Sequence, residues 1–500
     1  MFESVLAGFV GLFDPMQLGM LLLGVLTGTV VGIVPGIGGT AGLAICLPFV
    51  VYIEPTGAIA FMIGLISVTT TADTITSVLL AIPGTSGSVA SIVDGHPLAR
   101  KGEAARALAA SFVSSCFGGI FGAIILALSI PIVGFIIKQL GSPEFLMLTM
   151  LGITAVAMLT GRQPLKGITA AGIGLMMASV GGATLTPYFR YSFGLPYLYD
   201  GIPLILIALG LFGIPEIIDL LVRGLPIAGK FGMGKGVAEG IKDTWRNKWL
   251  ALRCAIIGVY VGFVPGMGTS VANWLGYAHA IQSSKGEGKF GKGDIRGIIA
   301  PEAANNAARG GELIPTLLFG IPGSGSMALL LLALVMFGIV PGPDMISIHL
   351  DKVFGIVWSL VIGNVVGAII CIFLAKYLAR VATVNIHILA PFVIVIITMG
   401  AFQATMNWGD LLCLLFLAVI GWTMKQTGFP RPPVIVGFVL GTLAERYLGL
   451  SIQRYGMEWL YRPWVIAIGV LIVLTIFYGA SYQAKQNKKE QEEMAEQAKA

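Results

Sequence analysis

Long apolar stretches with no charged residue run through the whole chain. Four of them, 18–52, 107–137, 353–375 and 463–484, are each at least as long as the roughly 20 residues that a helix needs to cross a bilayer. Shorter polar segments separate these stretches from others like them. The pattern predicts an all-α integral membrane protein with about 12 transmembrane or re-entrant helices.

The charged loops predict how the chain is oriented. Because Lys and Arg concentrate in cytoplasmic loops, we place in the cytoplasm the C-terminal tail and the basic loops at 100–106, 162–166, 230–253, 285–296, 376–380 and 425–431. The external turns would then lie near 54, 138–144, 186–200, 341–351 and 407–410. This scheme puts Arg446, Arg454 and Arg462 outside, so the orientation of that segment stays open.

Composition narrows the class of protein. The chain is 56% hydrophobic and only 11% charged, against roughly a quarter charged in soluble domains. The net charge of +6 is small and lies in loops, which argues against nucleic-acid binding. The cysteines stand singly, and no nucleophile, metal-ligand or nucleotide motif occurs. We therefore expect no enzyme, no cofactor and no structural metal, with the lipid bilayer as a partner.

Two signatures occur twice in the same order, which indicates an internal repeat. Gly32-Ile-Val-Pro-Gly-Ile-Gly38 returns as Gly262-Phe-Val-Pro-Gly-Met-Gly268, and Ile82-Pro-Gly-Thr-Ser-Gly-Ser88 returns as Ile321-Pro-Gly-Ser-Gly-Ser326. A basic loop follows the second signature in the first half, whereas the acidic Pro341-Gly-Pro-Asp344 follows it in the second. Opposite flanking charge predicts inverted repeats, with a parallel duplication as the alternative. The predicted divisions are repeats at 1–222 and 253–484, a cytoplasmic linker at 223–252 and a charged tail at 485–500.

The first signature of each half predicts a broken helix or a re-entrant hairpin. Pro35 and Pro265 remove a backbone donor, and the flanking glycines permit non-helical backbone. Such a break offers amide groups to an anion and carbonyl groups to a cation. Asn305 and Asn306 add side-chain amides, although they could simply bond across a helix pair. The predicted substrate-binding residues are Pro35, Gly36, Gly38, Gly39, Thr40, Pro265, Gly266, Gly268, Thr269, Ser270, Asn305 and Asn306.

A polar intramembrane run predicts a coupling-ion site. Residues 69–77 are too polar to face lipid, and counting back from Pro83 and Pro322 places Asp73 opposite Glu312. Glu312 and Arg309 should pair with each other or line a wet cavity, with a structural ion pair or an interfacial position as the alternative. The predicted coupling-ion residues are Thr69, Asp73, Thr76, Glu312 and Ser324. We expect Na⁺ as the coupling cation, with H⁺ as the alternative.

Several strings resemble one known family. Gly32–Gly38, Asp94-Gly-His-Pro97, Gly291-Lys-Gly-Asp-Ile-Arg-Gly297, Pro301-Glu-Ala-Ala-Asn-Asn-Ala307 and Pro341-Gly-Pro343 are similar to the large permease subunit of tripartite tricarboxylate transporters. The likeness covers roughly Gly19 to Leu450, and the string 290–307 is the most specific part. His96 departs from it, since the family's motif has Tyr there.

The resemblance implies a transporter of the bacterial inner membrane. Such a protein works with a small membrane subunit and a periplasmic solute-binding protein, and an ion gradient drives it. We therefore expect this chain to import small organic di- or tricarboxylates by alternating access, with its C-terminus in the cytoplasm. A passive carboxylate channel or a stand-alone uniporter is the alternative.

Overall fold

A computed structural model describes residues 1–34, 38–137, 139–159, 163–183, 188–223, 235–284, 288–381, 386–477 and 481. It gives the backbone alone at 159, 219, 220, 379–381 and 386–389. The helices up to residue 223 are α1 (Phe2–Gly11), α2 (Pro15–Ile33), α3 (Gly38–Val50), α4 (Pro55–Ala72), α5 (Thr74–Leu80), α6 (Val89–Arg100), α7 (Ala104–Ile137), α8 (Ser142–Leu159), α9 (Pro164–Ala178), α10 (Leu204–Ala208) and α11 (Ile214–Arg223).

The later helices are α12 (Val237–Arg246), α13 (Lys248–Phe263), α14 (Gly268–Ser283), α15 (Arg296–Phe319), α16 (Gly325–Met336), α17 (Pro343–Ser347), α18 (Leu350–Val381), α19 (Ile386–Phe402), α20 (Trp408–Gln426), α21 (Pro432–Tyr455) and α22 (Pro463–Phe477). A π-helical turn, Leu209–Gly213, joins α10 to α11. Short 3₁₀ turns lie at Ser86–Ser88, Pro196–Leu198 and Glu458–Tyr461. Strands β1 (Gly181–Gly182) and β2 (Phe189–Arg190) pair antiparallel, with Gly181 opposite Arg190.

Six helical segments of the described chain are long and apolar enough to cross a membrane: 15–33, 55–80, 104–137, 350–378, 408–426 and 432–455. Eight shorter apolar helices accompany them. The prediction of an all-α, multi-pass membrane protein is confirmed. The number of crossings, near 12, stays a prediction.

Two helices, α4 and α15, are enclosed by protein. Every residue of 57–72 and of 297–318 is buried. This enclosure explains why α15 can span 24 residues and still carry Glu302, Arg309 and Glu312, because lipid does not contact its polar groups. Asp73, directly after α4, is buried as well. The charges that sequence analysis placed inside the membrane therefore lie in the centre of the protein.

Glycines bring a partner helix into backbone contact with each enclosed helix. A Cβ added at Gly32 of α2 would lie 2.5 Å from the carbonyl oxygen of Thr69 in α4. A Cβ at Gly262 of α13 would lie 2.2 Å from the carbonyl oxygen of Ala308 in α15. Both distances are too short for a real side chain. The helix α2 thus packs on α4 as α13 packs on α15, through the equivalent glycine of each first signature.

Loops that contact each other are loops that the charge pattern assigned to the same side. Predicted cytoplasmic loops meet where Lys101 donates to the Lys292 carbonyl and Lys166 to the Thr427 carbonyl. Predicted external turns meet where Tyr197 donates to Asp410 and Arg462 pairs with Glu144 at 2.5 Å. These contacts agree with the predicted two-sided arrangement and keep Arg462 with the turns placed outside. The side that faces the cytoplasm stays a prediction.

The described part of the predicted linker, 223–252, contains α12 and the start of α13. Gly240 of α12 packs on the carbonyl oxygen of Arg106, and the buried Asp243 accepts a 2.6 Å hydrogen bond from the Nε of Arg106. Residues 224–234 and the predicted tail, 485–500, lie outside the described residues. The proposed domain boundaries themselves stay predictions.

Candidate functional site

Both first signatures interrupt a helix. The helix α2 ends at Ile33, Val34 is extended (φ −77°, ψ 110°), and α3 begins at Gly38 with φ +64°. The helix α13 ends at Phe263, Val264 is extended (φ −85°, ψ 111°), and α14 begins at Gly268 with φ +68°. The described residues on either side of the two breaks, Val34 and Gly38 in the first half and Val264 and Gly268 in the second, thus have matching conformations. Pro35 and Gly36, predicted as substrate-binding, lie outside the described residues.

Both second signatures form equivalent loops, which we call the first signature loop (81–88) and the second signature loop (320–326). The first begins after α5 with Ala81 at φ +53°, and the second begins after α15 with Gly320 at φ +70°. In each loop a hydroxyl residue, Thr85 or Ser324, then takes an extended conformation and accepts a backbone N–H at the start of the next helical turn. The two loops thus repeat each other in backbone and capping.

Each signature loop holds the carboxylate of its own half. The hydroxyl of Thr85 donates to Oδ2 of Asp73, and that of Ser324 donates to Oε2 of Glu312 at 2.9 Å. A glycine just before each hydroxyl lies against the side chain of the same carboxylate. Asp73 and Glu312 therefore occupy equivalent positions, as counting along the sequence predicted.

The first residues after each break, the first tip (Gly38–Thr40) and the second tip (Gly268–Ser270), contact the other half. Thr40 Oγ1 lies 3.0 Å from Ser326 Oγ in the second signature loop. A Cβ added at Gly87 in the first signature loop would lie 2.7 Å from Thr269 Oγ1. Each tip thus lies against the signature loop of the opposite half. We call this region, where the tips, the signature loops and the buried polar residues of α4 and α15 meet, the centre. Both halves contribute residues to it.

The break of the second half also bonds to its own signature loop, since the amide of Gly266 donates to the Gly323 carbonyl at 3.0 Å. Gly39 lies beside Thr69 and Ser326. Pro265, Gly268 and Ser270 are half-buried. Of the predicted substrate-binding residues that the structure describes, those of the tips lie where the halves meet.

Asn305 and Asn306 bond across to α4. Asn305 Nδ2 donates to the Thr70 carbonyl at 3.5 Å, and Asn306 Nδ2 donates to Thr71 Oγ1 at 2.8 Å and to Asn364 Oδ1 at 3.0 Å. The side-chain oxygens of both asparagines and the Thr70 hydroxyl are buried without a hydrogen-bond partner. Each asparagine therefore forms a hydrogen bond to another helix through its NH2 group and keeps an unpaired side-chain oxygen. Buried oxygens left unpaired are suited to binding a cation or a hydrogen-bond donor.

Arg309 and Glu312 pair inside the protein, as one of the predicted alternatives required. Arg309 Nη1 lies 3.0 Å from Glu312 Oε2. The Nε of Arg309 and the Oε1 of Glu312 are buried and unpaired. The pair is thus joined through one atom of each group, with hydrogen-bonding capacity left on both sides.

Two of the predicted coupling residues bond to their own helices. The Thr69 hydroxyl donates to the Leu65 carbonyl at 2.6 Å, and the Thr76 hydroxyl donates to the Asp73 carbonyl at 3.0 Å. Each oxygen still has lone pairs, but its proton is committed. Asp73 itself stands at the turn between α4 and α5.

The buried Glu302 was not among the site residues predicted from the sequence. Its carboxylate accepts a 2.5 Å hydrogen bond from Ser91 and a 3.0 Å bond from Ser115. Asn364, which accepts from Asn306, was missed as well. Glu302 lies inside the most specific family string, so that string was a signal. Asn364 is a single polar residue in an apolar run, and nothing in the sequence around it indicated a role in the site.

Asp94 explains why two distant motifs occur together. Its Oδ1 accepts the backbone N–H groups of Gly293 and Asp294 at 2.8 and 2.9 Å, and its Oδ2 accepts the Tyr277 hydroxyl at 2.9 Å. His96, in the same motif, lies with Nδ1 3.1 Å from the Val78 carbonyl. The Asp94 motif and the 291–297 motif thus form one joint between the halves.

Asp294 is an ion-paired residue of the loop before α15. Burial works against its ionisation, but hydrogen bonds and charge from Arg296 outweigh it, so the pKa of Asp294 lies below its ordinary value. In the described residues no three His, Cys, Asp or Glu side chains group as metal ligands.

The fold and the centre define a multi-pass helical membrane protein in which two broken helices meet among buried polar groups, an arrangement typical of secondary transporters. Residues 18–436 match the model of the tripartite tricarboxylate transporter TctA family, and the chain belongs to that family. It is therefore a membrane subunit of this transporter type. The family consists of transporters, not enzymes, and its systems include a small membrane subunit and a periplasmic binding subunit.

Two proteins of Agrobacterium vitis are similar to the chain. The uncharacterized 52.8 kDa protein in the TAR-I ttuC' 3'region is 32% identical over 448 residues, which cover 88% of each chain. The uncharacterized protein in the TAR-II ttuC' 3'region is 33% identical over 191 residues, covering 38% of this chain and 79% of that protein. No solved structure matches the chain significantly.

Proposed function

We propose that this chain is the large membrane subunit of an ion-gradient-driven importer of small organic di- and tricarboxylates. It receives the substrate from a periplasmic binding protein, works with a small membrane subunit in a bacterial inner membrane, and has its C-terminus in the cytoplasm. The observation that carries the proposal is the reciprocal contact of the two tips with the opposite signature loops at a buried polar centre. Broken helices that meet in this way form the binding sites of secondary transporters.

The tips favour an anionic substrate. Helices α3 and α14 begin there, so the N–H groups of their first turns, which have no acceptor within the helix, and the partial positive charge of the helix ends lie where the halves meet. The hydroxyls of Thr40 and Thr269 stand beside these helix ends. Donors of this kind bind carboxylates.

Unpaired oxygens favour a coupling cation in the same centre. The Thr70 hydroxyl and the side-chain oxygens of Asn305 and Asn306 lack partners. Asp73 and Glu312 supply carboxylate oxygens in equivalent positions. Neutral and acidic oxygens are ligands for a hard cation, which makes Na⁺ the proposed coupling ion, with H⁺ as the alternative.

Unequal exposure of equivalent residues supports inverted repeats that alternate. Ala81 and Pro83 in the first signature loop are exposed, whereas their counterparts Gly320 and Pro322 in the second are buried. The two signature loops are equivalent in sequence but differ in exposure to solvent, which is the pattern of a centre that is open on one side and closed on the other. Alternating access would exchange these two environments.

The transport assay uses labelled citrate, succinate and malate with proteoliposomes that contain the full chain. One arm adds the small membrane subunit and the periplasmic binding protein, and each arm is run with and without a Na⁺ gradient and a proton gradient. Uptake that needs both a gradient and the partners supports the proposal. Downhill flux through this chain alone, indifferent to every ion gradient, would instead identify a channel or a uniporter.

Alternating access is tested with equivalent cysteines. In a background without the five native cysteines, Pro83→Cys and Pro322→Cys are labelled with a membrane-impermeant maleimide in the presence and absence of citrate and Na⁺. We expect Pro83→Cys to react first and the ratio of the two rates to change when substrate and Na⁺ are added. Equal labelling of both positions under every condition contradicts alternation.

A further inference from the structure

We propose that Arg309 binds a carboxylate of the substrate by exchanging Glu312 for it, and that the released Glu312 takes up the coupling cation. The inference rests on the transport role proposed above, and it assigns the anion and the cation of that site to two named residues. Such an exchange would couple the binding of the anion to that of the cation.

The guanidinium of Arg309 has capacity that its present partner does not use. Arg presents five donors in a planar fork that can hold a carboxylate through two parallel hydrogen bonds. Glu312 engages Nη1 through one oxygen, at 3.0 Å, and Nε is left without a partner. A substrate carboxylate that took two donors would make one hydrogen bond more to Arg309 than Glu312 makes.

Arg309 is slightly less enclosed than its neighbours on α15. Its neighbours Ala308 and Glu312 are fully buried, whereas Arg309 itself keeps 7% of its surface exposed. It stands one helical turn after Asn305, so both side chains lie on the same face of α15. That face is directed toward the second tip. A Cβ added at Gly87 would lie 2.8 Å from Asn305 Oδ1 and 2.7 Å from Thr269 Oγ1, so Asn305 and Thr269 both lie beside Gly87.

Electrostatics then links the anion to the cation. The pair of Arg309 and Glu312 is neutral, and a substrate carboxylate that replaced Glu312 would leave one uncompensated negative charge in an enclosed region. Such a charge is costly unless it is paired. The Oε1 of Glu312 is unpaired, and Ser324 Oγ lies 2.9 Å from Oε2, so a cation at Glu312 has ligand oxygens ready.

The first half has no equivalent pair of an arginine and a carboxylate. The residue three positions before Asp73 is Thr70, whereas the residue three positions before Glu312 is Arg309. The equivalent carboxylate therefore has no guanidinium in the matching place. The exchange belongs to the second half alone, and the symmetric centre is asymmetric in charge.

The test measures equilibrium binding of labelled citrate to the purified full chain in lipid nanodiscs, with Na⁺ or with choline, at fixed pH. We expect Arg309→Gln to weaken binding about 100-fold or more, as the loss of two charge-assisted hydrogen bonds implies, and Arg309→Lys to fall between it and the unmodified chain. Glu312→Gln should bind citrate at least as tightly as the unmodified chain, and without needing Na⁺, because Arg309 then has no internal anion to release.

The control is Arg246→Gln, which removes an exposed guanidinium and should bind like the unmodified chain. Melting temperatures verify that each variant is folded. Normal citrate affinity in Arg309→Gln, or an undiminished Na⁺ requirement in Glu312→Gln, overturns the proposed exchange. The proposed function still stands in that case if the unmodified chain shows Na⁺-dependent uptake. If the unmodified complete system takes up no carboxylate under any gradient, both proposals fail.

Discussion

The joint at Asp94 permits a graded prediction of stability. Replacing Asp94 with Ala removes one acceptor from three donors at once: the N–H groups of Gly293 and Asp294 and the Tyr277 hydroxyl. A buried donor left without a partner costs about 1–3 kcal/mol. Because the two backbone donors are only partly buried, we take roughly 1–2 kcal/mol for each of the three groups and expect Asp94→Ala to lower the free energy of unfolding by about 3–6 kcal/mol.

The milder change Asp94→Asn separates geometry from charge. The remaining oxygen can still accept both backbone N–H groups, and the new amide can donate to the Tyr277 hydroxyl. The variant should lose about 1 kcal/mol, chiefly the strengthening that a carboxylate gives to its hydrogen bonds. Tyr277→Phe removes one of the three donors and should cost a similar amount.

Melting temperatures in detergent, read from intrinsic tryptophan fluorescence, rank the variants. We expect the order unmodified chain, then Asp94→Asn and Tyr277→Phe together, then Asp94→Ala well below. If Asp94→Asn melted as low as Asp94→Ala, the negative charge and not the set of acceptor contacts would hold the joint, and the reasoning would be refuted. Retained stability in Asp94→Ala would refute it equally.

Further predictions follow from packing and from ionisation. Gly262→Ala places a Cβ within 2.2 Å of the Ala308 carbonyl oxygen and should destabilise the protein by about 1–3 kcal/mol. The control Gly355→Ala has open space around its new Cβ and should be neutral or stabilise the protein by up to about 1 kcal/mol. Equal melting temperatures of the two variants would contradict the packing argument. Because the pKa of Asp294 lies below its ordinary value of 3.8, its contribution is present above that value and is lost as pH falls through the lower, folded-state pKa. Melting curves between pH 6 and 3 should show this acid loss in the unmodified chain and less of it in Asp294→Asn; parallel curves would exclude it.

Much of the frame followed from the sequence because its signals are local. Apolar length predicts membrane helices, and a proline between glycines predicts the break that the second half shows at Val264. The equivalence of Asp73 and Glu312 came from counting within a repeat. Each of these conclusions depends on short segments of the chain, either taken singly or compared between the two halves.

The contacts between the halves could not be predicted in the same way. Nothing near Thr40 indicates that Ser326 will face it, and nothing near Asn306 indicates Asn364. Hydropathy would also reject α15 as a membrane segment, because its polar groups suit a helix surrounded by protein. Glu302 was passed over for a related reason, since its serine partners lie about 190 to 210 residues earlier in the chain.

The reciprocal contact of the tips also sets an order of events during synthesis. The first tip reaches its partner only after Ser326 has been made, and the polar face of α4 gains Asn305 and Asn306 only when α15 arrives. Until then, the first half must hold a polar helix in the membrane without its final neighbours. A chain that ended after the first half would therefore leave Thr70 and Thr71 of α4 without the asparagines that contact them in the complete protein.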